Sequence, residues 1–330
     1  MLSKRYANDS IARLKLNPIQ QDQRKKIQGH IDSGEYMFEK FACLVCGGNG
    51  LENLSEKDRY GLYMPVAICR ECGLVQASPR MTQESYNHFY NDGHRRLYVG
   101  MEKPNDAYFS GRYRAGKATF GFLSEYMKVA GMRILEVGCG SGGILKYLHD
   151  SGASVKGIDL SLEYLEYGRE RYKLDLSNTD LFELPDSHEF DLVIYSDVLE
   201  HILEPKVHLA KIKGLLKENG HLYIKVPGIK NLYRPYLADF LRSLQNAHVY
   251  YYSLATLQNL MESNGFHMDY GDEEIRSLWR TSTDKASSSI KNDYADCMAY
   301  LRKLEKKGLT RQLLAIAAWG LTKVRKLTSM

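Results

Sequence analysis

The sequence contains no apolar run long enough to cross a bilayer: its longest uncharged apolar stretch, Leu313 to Leu321, has nine residues, against the roughly 20 a transmembrane helix needs. The N-terminus carries Lys4, Arg5, Arg13 and Lys15 with no apolar block behind them, so the layout of an export signal is missing. The chain is expected to stay in the cytoplasm. Tryptophan is scarce at two residues and phenylalanine modest at 10, whereas tyrosine reaches 24. Such amphipathic rings suit core filling and contact with a carbohydrate or a cation alike. Six cysteines in 330 residues are too few for a disulfide-dense miniprotein, and 44% hydrophobic with 26% charged residues excludes a wholly disordered chain or a collagen-like fibre. The length implies two domains, or one domain with a substantial appendage.

A surplus of positive charge is also missing from most of the chain. From Lys285 to Met330 there are ten Lys or Arg and three Asp or Glu, so the net +5 of the whole chain leaves −2 for residues 1–284. A slightly acidic body offers few phosphate-facing cations, and nucleic acid is not an expected partner.

Along the chain, residues 1–40 read as a weakly helical segment interrupted at Asn17 and Pro18. Residues 41–80 contain two CxxC pairs, Cys43/Cys46 and Cys69/Cys72, separated by 22 residues and each followed by a glycine, Gly47 or Gly73. That is zinc-ribbon spacing: two knuckles on hairpin turns bring four thiolates to one tetrahedral centre, and the small glycine lets backbone N–H groups approach the sulfur charge. Structural disulfides compete, but the expected compartment disfavours them, and a redox site needs one CxxC. A closed four-cysteine site has no open position, so the expected Zn2+ is structural. Residues 81–118 form a linker and a helix rich in Tyr, Arg and Phe, which could cover a ligand or pack on the following sheet.

From Met132 strands and helices alternate. Arg133–Val137, Val155–Asp159, Asp191–Tyr195 and His221–Val226 read as buried parallel strands, so residues 119–284 are expected to form an α/β, doubly wound Rossmann-like sheet with its ligand at the carboxyl ends of the strands. Between the first strand and its helix lies Gly138-Cys139-Gly140-Ser141-Gly142-Gly143. The glycines admit close approach of a ligand, and Asp159, ending the second strand, stands where a carboxylate accepts from both hydroxyls of a ribose. The loop satisfies G-x-G-x-x-G through Gly138, Gly140 and Gly143, and equally E-x-G-x-G-x-G through Glu136, Gly138, Gly140 and Gly142. Glu136 separates these readings. It would repel the pyrophosphate of a dinucleotide and attract the ammonium of S-adenosylmethionine.

Residues from about 108 to 275 resemble a class I S-adenosylmethionine-dependent methyltransferase: ILEVGCGSGG is similar to its first motif, VKGIDLS to its second, NTDLFELP to its third and FDLVIYSDVLEHI to its fourth. The resemblance implies that Glu136 and the loop Gly138 to Gly142 face the methionine moiety, Asp159 the ribose, Asp180 with Leu181 the adenine, and Ser196 the active-site edge of the fourth strand. The cysteine pairs followed by GLVQASPRMTQESYNHFY resemble the N-terminal zinc module of bacterial sugar and glycan methyltransferases, although residues past about 285 do not match their usual extra domain. The expected reaction is methyl transfer to a sugar, glycan or related small polar acceptor, at oxygen more than carbon.

Such a transfer needs alignment and removal of a hydroxyl proton. His201 and His248 are the candidate bases, both in loops at the ligand edge and both with an imidazole suited to neutral pH. Each has a structural alternative: the Glu200–His201 pair as a packing element, and His248 in a buried turn before a helix capped by Ser253. Asp197 would orient a histidine or cap a helix, and Cys139 reads as a packing residue. Residues 285–330 read as a pair of basic helices, one with Tyr294, Cys297 or Met298, Leu301 and Leu304 on its inner face and Arg302, Lys303, Lys306 and Lys307 outside, the other from Leu309 to Val324. Those cations form a solvated face or a contact with a protein or membrane surface. The competing functions are an RNA or protein methyltransferase whose ribbon grips the substrate, a non-catalytic scaffold of the same fold, and an NAD-dependent enzyme.

Overall fold

The computed structural model describes residues 1–101, 103–282 and 289–307. The break expected at Asn17 and Pro18 is a helix start. Asn17 accepts from the Gln20 backbone N–H, the Gln20 side chain reaches back to the Asn17 backbone, and Pro18 occupies the first turn of α1 (Pro18–Asp32), where its missing N–H costs nothing. There follow β1 (Phe38–Glu39), β2 (Leu51–Lys57), β3 (Tyr63–Cys69), β4 (Val75–Ala77), β5 (Arg80–Met81), α2 (Gln83–Asn91), α3 (His94–Val99) and α4 (Asp106–Leu123).

The alternating part comprises β6 (Arg133–Val137), α5 (Gly143–Asp150), β7 (Ser154–Ile158), α6 (Leu162–Tyr172), β8 (Leu176–Ser177), β9 (Phe190–Ser196), α7 (Pro205–Leu215), β10 (Leu216–Lys225), α8 (Phe240–Ser243), β11 (Tyr250–Tyr251), α9 (Leu254–Ser263), β12 (Phe266–Gly271) and β13 (Arg276–Thr281). The central sheet has seven strands in the order β12-β13-β10-β9-β6-β7-β8. Strands β6 to β10 pair in parallel, whereas β13 runs antiparallel to both β10 and β12. The four expected strands are present, and the sheet is mixed: residues 266–281, to which the pattern assigned no strand, form an edge hairpin. Its strand β13 buries Leu278 and Trp279, and Trp279 Nε1 donates to Ser277 Oγ at 2.8 Å.

Leu192, Val193, Ile194 and Tyr195 are wholly buried in β9, as a strand covered on both faces requires. One face packs on α4 and α5 through Phe122, Leu123, Ile144, Leu145 and Leu148. The opposite face shares a continuous apolar cluster with α7, α9 and the cysteine-bearing segment, which contributes Cys43, Cys69 and Cys72.

The CxxC segment is joined to the sheet domain by backbone pairing. A second, four-stranded sheet has the order β11-β4-β3-β2, so a strand from residues 250–251 completes a sheet begun at residue 51. Residues 294–307 are helical. As the pattern predicts, Cys297, Met298, Leu301 and Leu304 are buried, with Tyr294 partly so, against Tyr6, Leu54, Val66 and Leu241; Arg302, Lys303, Lys306 and Lys307 face outward. Glu305 on the buried side accepts from Arg5 at 2.6 Å and from Ser3 at 2.7 Å. The expected second helix, Leu309 to Val324, lies outside the described residues. Among the described residues no helix is long and apolar enough to cross a membrane.

Candidate active site

The carboxyl ends of β6, β7, β9 and β10 converge on one edge of the sheet, beside the point where β6 is flanked by β7 on one side and β9 on the other. The chain leaves β6 through Gly138 and enters α5 at Gly142, both with positive φ of +71° and +75°. A Cβ at Gly138 would meet Val198 at 2.7 Å, and one at Gly142 would meet Leu174 at 2.7 Å, so this turn is built on glycine. Cys139 is buried with its sulfur toward the Gly140 carbonyl, a packing residue as expected.

Glu136 is 1% exposed, and neither carboxylate oxygen has a hydrogen-bond partner. Burial pushes its pKa up to about 8, with Arg112 opposing and Asp159 and Asp197 adding to the shift. Asp159 is placed differently. Its oxygens accept from the Gly140 and Ser161 backbone N–H groups, each at 2.8 Å, and from Arg95 Nη2 at 3.1 and 3.2 Å. Arg95 in turn lies over the Tyr164 ring at 4.2 Å. The expected ribose ligand therefore stands at the strand end already holding an arginine from α3.

Asp197, with φ +60°, neither orients a histidine nor caps a helix. It accepts from Arg112 at 2.9 Å and from Lys225 at 3.2 Å. Burial works against its charge, but these two cations hold the carboxyl down to about 2. Ser196 is buried at the end of β9. Asp180 caps a short 3-10 turn, accepting from Phe182 N at 2.8 Å; the Leu181 side chain belongs to the apolar core.

His201 and His248 come together although 47 positions separate them: their rings meet edge to face at 4.7 Å. His201 sits on the 3-10 turn Leu199–His201, with Nδ1 2.8 Å from the Ala247 carbonyl and 2.6 Å from Tyr90 Oη. Burial lowers its pKa to about 4, and burial followed by the charges of His201, Arg59 and His94 lowers that of His248 well below the usual value. The loop of His248 does lead to a helix capped by Ser253, which accepts from Thr256 N. Beside both rings, with Oε1 3.8 Å from each Nε2, lies Glu200, 1% exposed, with no hydrogen-bond partner on either oxygen. Its pKa is raised by burial and then by Asp197.

Arg95, Arg112, Tyr90, Lys225 and Glu200 were not singled out as site residues above. The arginines and Tyr90 lie in the aromatic, basic text of residues 81–118, whose ligand-covering reading pointed toward them; only the fold shows which carboxylates they meet.

The cysteine pairs also converge. Cys43 Sγ is 3.4 Å from Cys72 Sγ and Cys46 Sγ 3.4 Å from Cys69 Sγ, none of the four is in a disulfide, and their ligand atoms lie within 4.8 Å of one another. Gly48 N and Leu74 N approach Cys46 and Cys72 at 3.4 and 3.5 Å, the backbone support that the following glycines were expected to permit.

Comparison with known proteins agrees with this geometry. Residues 108–270 match the family described as a methyltransferase domain. The demethylmenaquinone methyltransferase of Clavibacter sepedonicus is 30% identical over 196 residues, which cover 54% of this chain and 76% of that one. The chain belongs to the S-adenosylmethionine-dependent methyltransferases. It is also 33% identical to the tRNA U34 carboxymethyltransferase of Sodalis glossinidius over 50% of its length, and it spans 56% of that relative. Among solved structures, 1,6-didemethyltoxoflavin-N1-methyltransferase of Burkholderia thailandensis, with bound 1,6-didemethyltoxoflavin and S-adenosylhomocysteine, is similar at TM-score 0.45 and 15% identity, over 66% of this chain and 96% of that one.

The residues of this methyltransferase fit S-adenosylmethionine. An orphaned, buried carboxylate suits an ammonium, the turn beside it is built on glycine, and Asp159 offers a carboxylate at the adjoining strand end.

Proposed function

We propose that this methyltransferase moves a methyl group from S-adenosylmethionine to a hydroxyl oxygen of a sugar, glycan or related small polar acceptor. The observation that carries the cofactor half is the unpartnered carboxylate of Glu136 at the glycine turn. Bound there, S-adenosylmethionine supplies a methyl group already activated by its sulfonium. The chain's part is to align the acceptor and relieve its hydroxyl of a proton. Glu136 holds the methionine ammonium, Asp159 exchanges its Arg95 contact for the ribose, and the turn around Asp180 and Leu181 borders the adenine. The cluster of Glu200, His201 and His248 activates the acceptor hydroxyl. Several groups around it are polar or ionisable, among them Tyr90, His94 and Gln245, which favours a hydroxylated acceptor.

A second acceptor, of the demethylmenaquinone kind, is favoured by one relative. Calorimetry with S-adenosylmethionine, followed by transfer assays on nucleotide sugars and on hydroxylated quinone precursors, separates the readings. Absence of cofactor binding would sink both and leave a scaffold.

The four cysteines are proposed to hold a structural Zn2+. Chelation is expected to loosen residues 41–80, seen as faster amide exchange there, with no direct part in the chemical step. Unchanged exchange after complete zinc removal would refute that role. The outward cations of residues 302–307 remain a proposed contact for a protein or an anionic membrane surface.

A further inference from the structure

Besides the cysteine cluster, the described residues bring together another set of metal-ligand atoms: one oxygen of the buried Glu200 and one ring nitrogen each of the part-buried His201 and the buried His248, all within 4.8 Å of one another. We propose that this set is a binding site for a divalent first-row transition cation such as Zn2+. The inference rests on the reading that the acceptor hydroxyl meets this cluster, and it sharpens the part played there: the imidazoles hold the cation rather than taking the proton themselves.

Three observations carry it. Glu200 Oε1 is 3.8 Å from Nε2 of His201 and 3.8 Å from Nε2 of His248. That is too long for hydrogen bonds, and within a few tenths of an ångström of the roughly 3 to 3.5 Å that separates neighbouring ligands on a cation held at about 2.1 Å. Next, both Glu200 oxygens lack any hydrogen-bond partner at 1% exposure, a cost that a cation would remove. Finally, His201 Nδ1 faces the Ala247 carbonyl at 2.8 Å. Donation there leaves the lone pair on Nε2, toward Glu200, the outer contact usual for a metal-bound histidine.

Gln245 Nε2 lies 2.5 Å from His248 Nε2, so this amide must turn away when the cation enters. Two histidines and one carboxylate leave positions open for an oxygen ligand, unlike the closed cysteine set.

Zinc content, measured by mass spectrometry on the full chain after exposure to Zn2+ and gel filtration, tests the site without any activity assay. Wild type is expected to retain two zinc ions per chain, and His248→Ala and Glu200→Gln one each. One zinc in wild type, or two in both variants, overturns the proposal. Should either variant fail to fold, as judged by circular dichroism, the other decides. Calorimetry with S-adenosylmethionine runs in parallel: wild type with two zinc ions and no cofactor binding would remove the functional reading and leave the metal site standing.

Discussion

The outer and inner carboxylates of the cleft differ in one respect. Asp159 and Asp197, toward its rim, are fully engaged by backbone N–H groups or by cations, including Arg95 and Arg112 from the covering helices. Glu136 and Glu200, each 1% exposed, accept no hydrogen bond at all. Burying a carboxylate without a partner is costly, and native interiors rarely tolerate it. The rim groups hold the fold's own helices in place, and the inner two stand ready for charge brought from outside. The same contrast explains the opposite shifts of Asp197, held down to about 2, and Glu136, pushed up to about 8.

Glu136→Gln removes the acid that would ionise against the incoming ammonium, with little change in volume, and gives the largest effect. Affinity for S-adenosylmethionine, read by calorimetry, should fall about 100-fold, the upper range for a hydrogen bond to a charged group. A change under threefold would break the contrast. Asp159→Ala comes next, at about 1.5–3 kcal/mol of cofactor binding. It also releases Gly140 and Ser161, so faster amide exchange in the glycine turn should accompany it, and unchanged affinity would refute the ribose role.

The acidity of Glu136 gives a smaller effect with a definite sign. An acid whose folded pKa lies near 8, above its ordinary 4.5, binds its proton more tightly in the native state. Its favourable contribution to stability is full below 4.5 and is lost as pH rises from there through 8. The unfolding free energy of ligand-free wild type, minus that of Glu136→Gln, should therefore fall across this window, by at most about 1.4 kcal/mol per pH unit. A difference that is flat with pH would show that Glu136 is paired in solution. Smallest is Arg95→Ala. Removing a partly exposed ion pair frees Asp159, and cofactor affinity is expected to tighten about two- to fivefold, in line with such pairs; weakening would mean that Arg95 itself binds the cofactor.

Much of the parallel core was legible because buried strands announce themselves. Ile134 and Leu135 or Leu192 to Tyr195 form apolar runs too short for helices, each followed by a turn and an amphipathic segment. The hairpin of β12 and β13 was not, because Arg276, Ser277, Arg280 and Thr281 leave β13 without a continuous apolar run, and its pairing with β10 and β12 is what makes it a strand. The positions of Glu136, Asp159 and the cysteine pairs followed from motif spacing. The arginines meeting Asp159 and Asp197 did not, because their partners lie 64 and 85 positions away and no local pattern encodes such a contact. Nor did the meeting of His201 with His248, which depends on how the loop before β11 returns across the sheet edge.

That return has a mechanical consequence. The Ala77 N–H donates to the Val249 carbonyl at 2.8 Å, and the Val249 N–H donates to the Glu200 carbonyl at 2.8 Å, so two successive main-chain links run from the sheet beside the cysteines to the glutamate beside the imidazoles. The N-terminal module thus serves as a jig for the far end of the cleft, and shortening or slipping β4 by one residue would misalign Glu200 and His248 while leaving the glycine turn where it is.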